Sequence, residues 1–272
     1  MVYKVFGNLM ERWLGFYSHS GPSSKLDDFI DYTGVLPNDP SVLAKIVRGL
    51  LIHEGVVSQR KMHFAPERMA DRNIVGAGNV LKRVLEFDPA PLTVERDDRN
   101  RMVSFCYHFA VLLCAFLRAK QVPARARCGF ASYFREGFWI DHWVVEYWND
   151  SEWVTIDPDA GRDVVSRDEF HHSGVAWMLC RNGKLDPATH GNYFLWGWDE
   201  LRGSLINDIG ALNKVECGNW NWCSLIDIAE REKPHGAVDK QLDDLASLVL
   251  SSGSFEELRL TYQREAYLHP PP

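Results

Sequence analysis

The sequence predicts an α+β fold in which helices precede an antiparallel sheet. Two observations carry this. Residues 40–53, 80–85 and 105–116 repeat their apolar positions at helical spacing. From about 122 to 157 the pattern changes to short β-branched and aromatic runs separated by turn residues. No internal repeat and no long linker interrupt the chain. One domain spanning 1–272 is expected, with a core at about 75–165 and a C-terminal elaboration over 166–272.

The elements follow in order. Residues 1–37 are punctuated by Gly21-Pro22-Ser23-Ser24, and Pro37-Asn38-Asp39-Pro40 is a second turn. Pro40–His53 is an amphipathic helix, and Val80–Leu85 marks a second. Both are expected to pack around a third. That third begins near Ser104, a candidate N-cap after the polar loop Glu95–Arg101, and carries apolar residues at 105, 109, 112, 113 and 116 on one broad face. Gly137–Trp148 and Glu152–Asp157 are strands joined by the turn Asn149-Asp150-Ser151. Beyond Asp168 the pattern is mixed. Asn207–Lys214 and Gln241–Leu250 read as helices, and Leu268–Pro272 as an extended tail.

Three residues in this framework fit covalent catalysis. Cys106 falls in the first turn of its helix, where free N–H groups and the helix dipole favour a thiolate. His142 lies in the longer strand. Asp157 closes the next strand, just before Pro158. A thiol nucleophile needs a base, and the base needs a group that fixes its tautomer. If the turn between the strands holds an even number of residues, Val144 faces Asp157, and His142 shares the face of Val144. An odd turn puts His142 and Asp157 on opposite faces. Each residue also has an ordinary role: a small buried thiol, a half-buried strand imidazole, a turn-forming Asp. Cys114 lies two turns into the helix and reads as core. His108 points away from the thiol and is not counted as the base.

The segment from about Arg101 to Asp159 resembles the transglutaminase-like superfamily, relatives of the papain-type cysteine proteases. The matching residues are Cys106 at the helix start, Leu117-Arg118 near its end and Val122-Pro123-Ala124-Arg125 entering a strand. Gly129-Phe130, Asp141-His142-Trp143-Val144-Val145-Glu146 and Trp153-Val154-Thr155-Ile156-Asp157-Pro158 complete the set. The resemblance implies a papain-like core with the catalytic helix packed on the antiparallel sheet. It implies Cys106 as nucleophile, His142 as general base and acid, and Asp157 as the group orienting the histidine. Gln121 departs from the family, which commonly has a turn Gly there. It is compatible with a helix that ends without a left-handed cap.

These roles describe acyl transfer through a Cys106 thioester. An amine completes it as amide formation, on a small-molecule or carrier-bound acyl substrate. Water completes it as peptidase or amidase chemistry. A binding protein that keeps the fold without turnover is the third class, and the intact Cys-His-Asp set counts against it. Trp143, Trp196 and Trp198 are candidate substrate-binding residues. Tyr193, Phe194, Trp220 and Trp222 are further aromatics for a groove wall, with core packing as their competing role. No cofactor is implied. Cys128, Cys180, Cys217, Cys223 and His171-His172 show no recognised metal spacing, so no metal is expected, and His171-His172 reads as a solvated loop pair. Gly76-Ala77-Gly78-Asn79 lacks the Lys and Ser/Thr of a phosphate loop.

Composition narrows the setting. A net charge of −7 argues against nucleic acid, and 46% hydrophobic with 25% charged residues is ordinary for a globular protein. No apolar run reaches membrane-span length and no secretory signal is evident, so no membrane partner is expected. Six well-separated cysteines fit free thiols in the cytoplasm.

Overall fold

The computed structural model describes residues 12–218, 237–251 and 255–269. Trp220, Trp222, Cys223 and the Pro270–Pro272 end of the expected tail lie outside the described residues. The fold is α+β. Its main elements are α1 (Pro40–Leu50), β1 (Leu51–His53), α2 (Ala77–Phe87), β2 (Met102–Ser104), α3 (Cys106–Ala119), β3 (Ala124–Ala131), β4 (Trp139–Trp148) and β5 (Trp153–Ile156). They continue as β6 (Phe170–His172), α4 (Ser173–Arg181), β7 (His190–Gly191), α5 (Trp198–Leu212), α6 (Ala237–Leu250) and α7 (Phe255–Arg264). By hydrogen bonding the larger sheet has the order β5-β4-β3-β6, with β7 beside β4.

The chain forms two compact units. One holds residues 1–126 and 144–165, the other 127–143 and 166–272. Strands β3 and β4 each contribute residues to both.

In the first unit α1 and α2 pack against α3, as the helical periods predict. Pro40 opens α1, and the Asp39 carboxylate accepts from the Val42 N–H at 3.0 Å, a side-chain N-cap. The expected helix over 40–53 stops at Leu50. Leu51-Ile52-His53 instead forms a parallel pair with Met102-Val103-Ser104. Three successive residues with two β-branched or apolar side chains suit either state, and here the partner strand decides. Ser104 is therefore in β2, and Phe105 takes the N-cap position of α3. This helix is buried from Cys106 through Arg118, all round rather than on one face.

The α3 C-terminus overturns the expectation for Gln121. Gln121 sits at φ 62°, in the left-handed region. Its N–H donates to Arg118 O at 3.0 Å and the Val122 N–H donates to Leu117 O at 2.9 Å. These are the two bonds of a Schellman cap, built without the usual glycine. Arg118 adds a tether: its Nε–H donates to Ala124 O at 3.0 Å and its guanidinium donates to Ser24 Oγ at 2.6 Å.

The β4–β5 hairpin has the even register. Trp148 pairs with Trp153 and Val145 with Ile156, across a four-residue turn, 149–152. On this hairpin Arg125 of β3 donates to Glu146 at 2.6 Å. Its guanidinium lies 4.1 Å from the Trp153 ring centroid, with Trp13 and Tyr17 close by.

In the second unit α4 packs on α5, α6 and β6. His171 and His172 belong to β6, paired with Phe130 and Gly129, so they are not a loop pair. A Cβ on Gly129 would stand 2.2 Å from His171 O, which is why this position excludes a side chain. The helix expected over 207–214 is the end of the longer α5. Arg127 of β3 makes a bidentate bond to Asp208 of α5 at 2.9 and 2.8 Å, and Asp208 Oδ1 also accepts from the Cys128 N–H at 3.0 Å. Arg127 is 6% exposed and Asp208 is fully buried, so this is a pair whose partners need each other. Among the described residues no helix is long and apolar enough to cross a membrane.

Replacing Gln121 with Gly is expected to stabilise the protein by about 1 kcal/mol, by relieving the left-handed strain. Equilibrium urea unfolding checks this. In the same assay Asp208→Asn is expected to cost about 3 kcal/mol, because it leaves a buried guanidinium without its anion.

Candidate active site

Cys106 is the first residue of α3 and is 9% exposed. The β1–β2 pair anchors the chain two residues before it. Phe105 has no side-chain acceptor to cap the helix. His108, three residues on, reaches back instead. The Phe105 N–H donates to His108 Nδ1 at 3.0 Å, and His108 Nε2–H donates to Ile74 O at 2.9 Å. These two bonds set the tautomer. Burial pushes the His108 imidazole down to about 4, so it stays neutral at ordinary pH. His108 thus spends both ring nitrogens on the backbone at the helix start. Cys114 is fully buried, as expected of core.

Asp157 follows β5 directly, is fully buried, and lies in the same unit as Cys106. Its Oδ1 accepts from the N–H groups of Asp159 and Ala160, both at 2.9 Å. Its own N–H donates to Arg162 O at 2.8 Å. The residue therefore does form a turn. A turn alone does not require full burial of a carboxylate, and hydrogen bonds such as these offset its cost. Since Val145 pairs with Ile156, Asp157 stands next along β5 beyond that pair. The turn is braced by Arg48 of α1, whose guanidinium contacts Pro158 O at 3.5 Å.

Two neighbours in this unit escaped the sequence reading. His53 ends β1, its Nδ1 accepts from the Gly55 N–H at 2.9 Å, and its Nε2 is 3.7 Å from Asp159 Oδ2. Its ring lies 5.9 Å from that of Phe105, the residue before Cys106. Nothing in the local sequence signals this, because it depends on β1 pairing with β2 fifty residues away.

His142, Trp143, Trp196 and Trp198 lie in the second unit. His142 is 3% exposed. Phe134 meets its ring nearly edge-on, with centroids 4.8 Å apart, and Tyr133 lies at 6.3 Å. The adjacent Asp141 accepts from the Cys128 thiol at 3.7 Å. Cys128 also lies 3.3 Å from Ser204 Oγ, and Ser173 Oγ donates to Cys128 O at 2.7 Å. Ser173 and Ser204 are 2.8 Å apart. This buried cluster holds β3 and β4 to α4 and α5 beside His142. It was not foreseen, since two serines 31 residues apart carry no local signal. Trp143 is fully buried. Trp198 packs on the buried Trp177 at 5.3 Å, and Trp196 packs on Phe138 at 5.4 Å.

Trp139 stacks between two imidazoles, His171 at 3.9 Å and His190 at 6.0 Å. Burial lowers the pKa of both, His190 to about 4. Among the described residues no group of three or more His, Cys, Asp and Glu side chains could hold a metal ion.

Because His108 binds its proton near pH 4 when folded and near 6.5 when unfolded, the unfolded chain takes up a proton between these values that the native protein refuses. Stability is therefore lost as pH falls through that window. His108→Gln is expected to lessen the loss between pH 7 and 4 by about 3 kcal/mol, measured by urea unfolding at both pH values.

Residues 91–158 match the family model of the transglutaminase-like superfamily. No curated protein matches the chain. Among solved structures, a Cytophaga hutchinsonii protein described as a "Putative Cysteine Protease" is similar at 15% identity with a TM-score of 0.36. The similarity covers 57% of this chain and 44% of that one, so the chain spans less than half of its length. Residues 91–158, with Cys106 opening its helix and Asp157 just after its strand, are thus similar to the transglutaminase-like superfamily, which supports a cysteine-dependent enzyme.

Proposed function

We propose that the chain is a thiol acyltransferase that forms an amide bond, with Cys106 as nucleophile, His142 as general base and acid, and Asp157 as the group orienting His142. The observation that carries this is the helix start at Cys106. A cysteine at the first position of a buried 14-residue helix gains from the dipole and from nearby N–H groups, which favour the thiolate. The even β4–β5 register supports the other two roles. Val144 falls opposite Asp157 by extension of that register, and His142 alternates with Val144 along β4.

In this reading the Cys106 sulfur attacks the carbonyl carbon of a small-molecule or carrier-bound acyl donor. The Cys106 backbone N–H lies at the helix start, where it suits the developing oxyanion. The carbon–leaving-group bond breaks, and His142 gives its proton to the departing group. A thioester remains. An amine then attacks, His142 takes a proton from its nitrogen, and the new amide leaves as the sulfur is released.

Transfer to an amine rather than water is favoured where water is kept from the thioester. The 3% exposure of His142 beneath Phe134 and Tyr133 supports that choice. Six well-separated cysteines in a chain of 272 residues support a reducing compartment such as the cytoplasm.

Cys106→Ala is expected to abolish acyl transfer and leave the fold intact. Retained turnover in this variant would sink the assignment. Asp157→Asn is expected to lower kcat by roughly 100-fold or more, as in other triads that lose the orienting carboxylate. Product analysis by mass spectrometry, with and without added amine, separates amide from acid. Acid alone at saturating amine would reassign the protein as an amidase. Treatment with a chelator is expected to leave the rate unchanged.

A further inference from the structure

The second unit displays large aromatic side chains in a tight turn. Gly191 bridges to Trp196, and the Asn192 N–H donates to Leu195 O at 2.8 Å. Asn192 Oδ1 accepts from the N–H groups of Phe194 and Leu195 at 2.8 and 2.9 Å. This closed turn holds Tyr193 and Phe194 outward, 84% and 88% exposed. Two adjacent rings so far out in water are not explained by packing. Exposed apolar patches of this kind mark contact sites.

The turn does not stand alone. Trp196 at its base packs edge-on against Phe138, 5.4 Å between centroids. Arg135 places its guanidinium 3.9 Å from the Phe138 ring and 5.9 Å from Trp196. Phe138 closes a compact loop with Arg135, its N–H donating to Arg135 O at 3.1 Å. In that same loop Phe134 is 45% exposed and touches the His142 ring. One loop in this unit thus carries both Phe138, packed on Trp196 at the base of the turn, and Phe134, packed on His142.

We propose that this surface is an acyl-donor subsite for a group bearing an aromatic ring, with Tyr193 and Phe194 as its outer wall and Phe134 as its junction with His142. The inference rests on the reading of His142 as the base. A flat apolar ring finds edge and face contacts here that an acetyl group cannot reach. Phe134 packs on His142, the proposed base, which distinguishes a substrate subsite from a remote docking face.

The test compares two acyl donors with the same non-aromatic leaving group, the S-ethyl thioesters of acetic and 3-phenylpropionic acid. Attack by Cys106 forms the new thioester and releases ethanethiol, and intact mass reports the acyl-enzyme. The wild type is expected to acylate faster with the phenylpropionyl donor by roughly tenfold or more. The double variant Tyr193→Ser, Phe194→Ser is expected to bring the ratio of the two rates to within about twofold. An unchanged ratio in the variant, or no preference in the wild type, overturns the subsite. In parallel, 3-phenylpropionamide binding is measured by calorimetry on Cys106→Ala, with and without the two serine substitutions, and a weakening of roughly tenfold is expected. If neither thioester acylates the wild type but this binding and its loss are seen, the acyl-transfer reading fails and the aromatic site stands. Absent binding, or binding indifferent to the substitutions, removes the site itself.

Discussion

The imidazole of His108 does the work that a serine or aspartate does at most helix starts, and Cys106 depends on it. A hydroxyl or carboxylate at the N-cap would accept a hydrogen bond from inside the first turn. Here the side chain three residues on accepts from the Phe105 N–H instead and donates to Ile74 O. The helix start is thus tied to the segment just before α2, at the cost of burying an imidazole that must stay neutral. The other end of α3 is held as firmly, by the Schellman bonds and by Arg118. A helix buried on every side has no solvent face to tolerate slack, so both ends must be specified.

Much of this was legible in the chain, and the reasons differ by element. The helix from Cys106 and the strands flanking residue 150 announce themselves because their signals are local: periodicity, β-branched runs and turn residues between them. The register of β4 and β5 stays open in the sequence, where Asn149-Asp150-Ser151 marks the turn but Glu152 reads as strand; the pairing of Trp148 with Trp153 puts Glu152 in the turn and makes the register even. Leu51-Ile52-His53 was misread because its strand state is imposed by Met102-Val103-Ser104, a partner no local window contains. Ser104 was misread as a cap for the same reason, since it belongs to that strand. Gln121 shows a subtler failure. A non-glycine residue argued against a left-handed cap, yet the pull of the two cap bonds and the tethered Arg118 overrides the side chain's preference.

The candidate site divides along the same line. Cys106 and Asp157 could be named because each sits at the end of an element with a clear boundary. What surrounds them could not. His53 with Asp159, and the Cys128, Ser173 and Ser204 cluster beside Asp141, are assembled from segments far apart in sequence. The sequence groups the aromatic residues at 193–198 by position alone. Only the structure separates Trp198, packed on the buried Trp177, from Tyr193 and Phe194, which stand in water.

The interleaving of the two units bears on synthesis. The ribosome delivers Arg127 well before its anion, because Asp208 lies 81 residues later. At about 5–20 residues per second this is a wait of roughly 4–16 s. During it the nascent second unit lacks the counter-charge that lets β3 be buried. The first unit waits too, since Glu146 and the 153–157 strand end must emerge before Arg125 and its aromatic neighbours can close. The first unit can therefore close its core only after residue 165 has emerged, and the second only after Asp208. A newborn chain passes through a period with uncovered strand edges, when a chaperone would find it and when slower translation after residue 165 would lengthen its exposure.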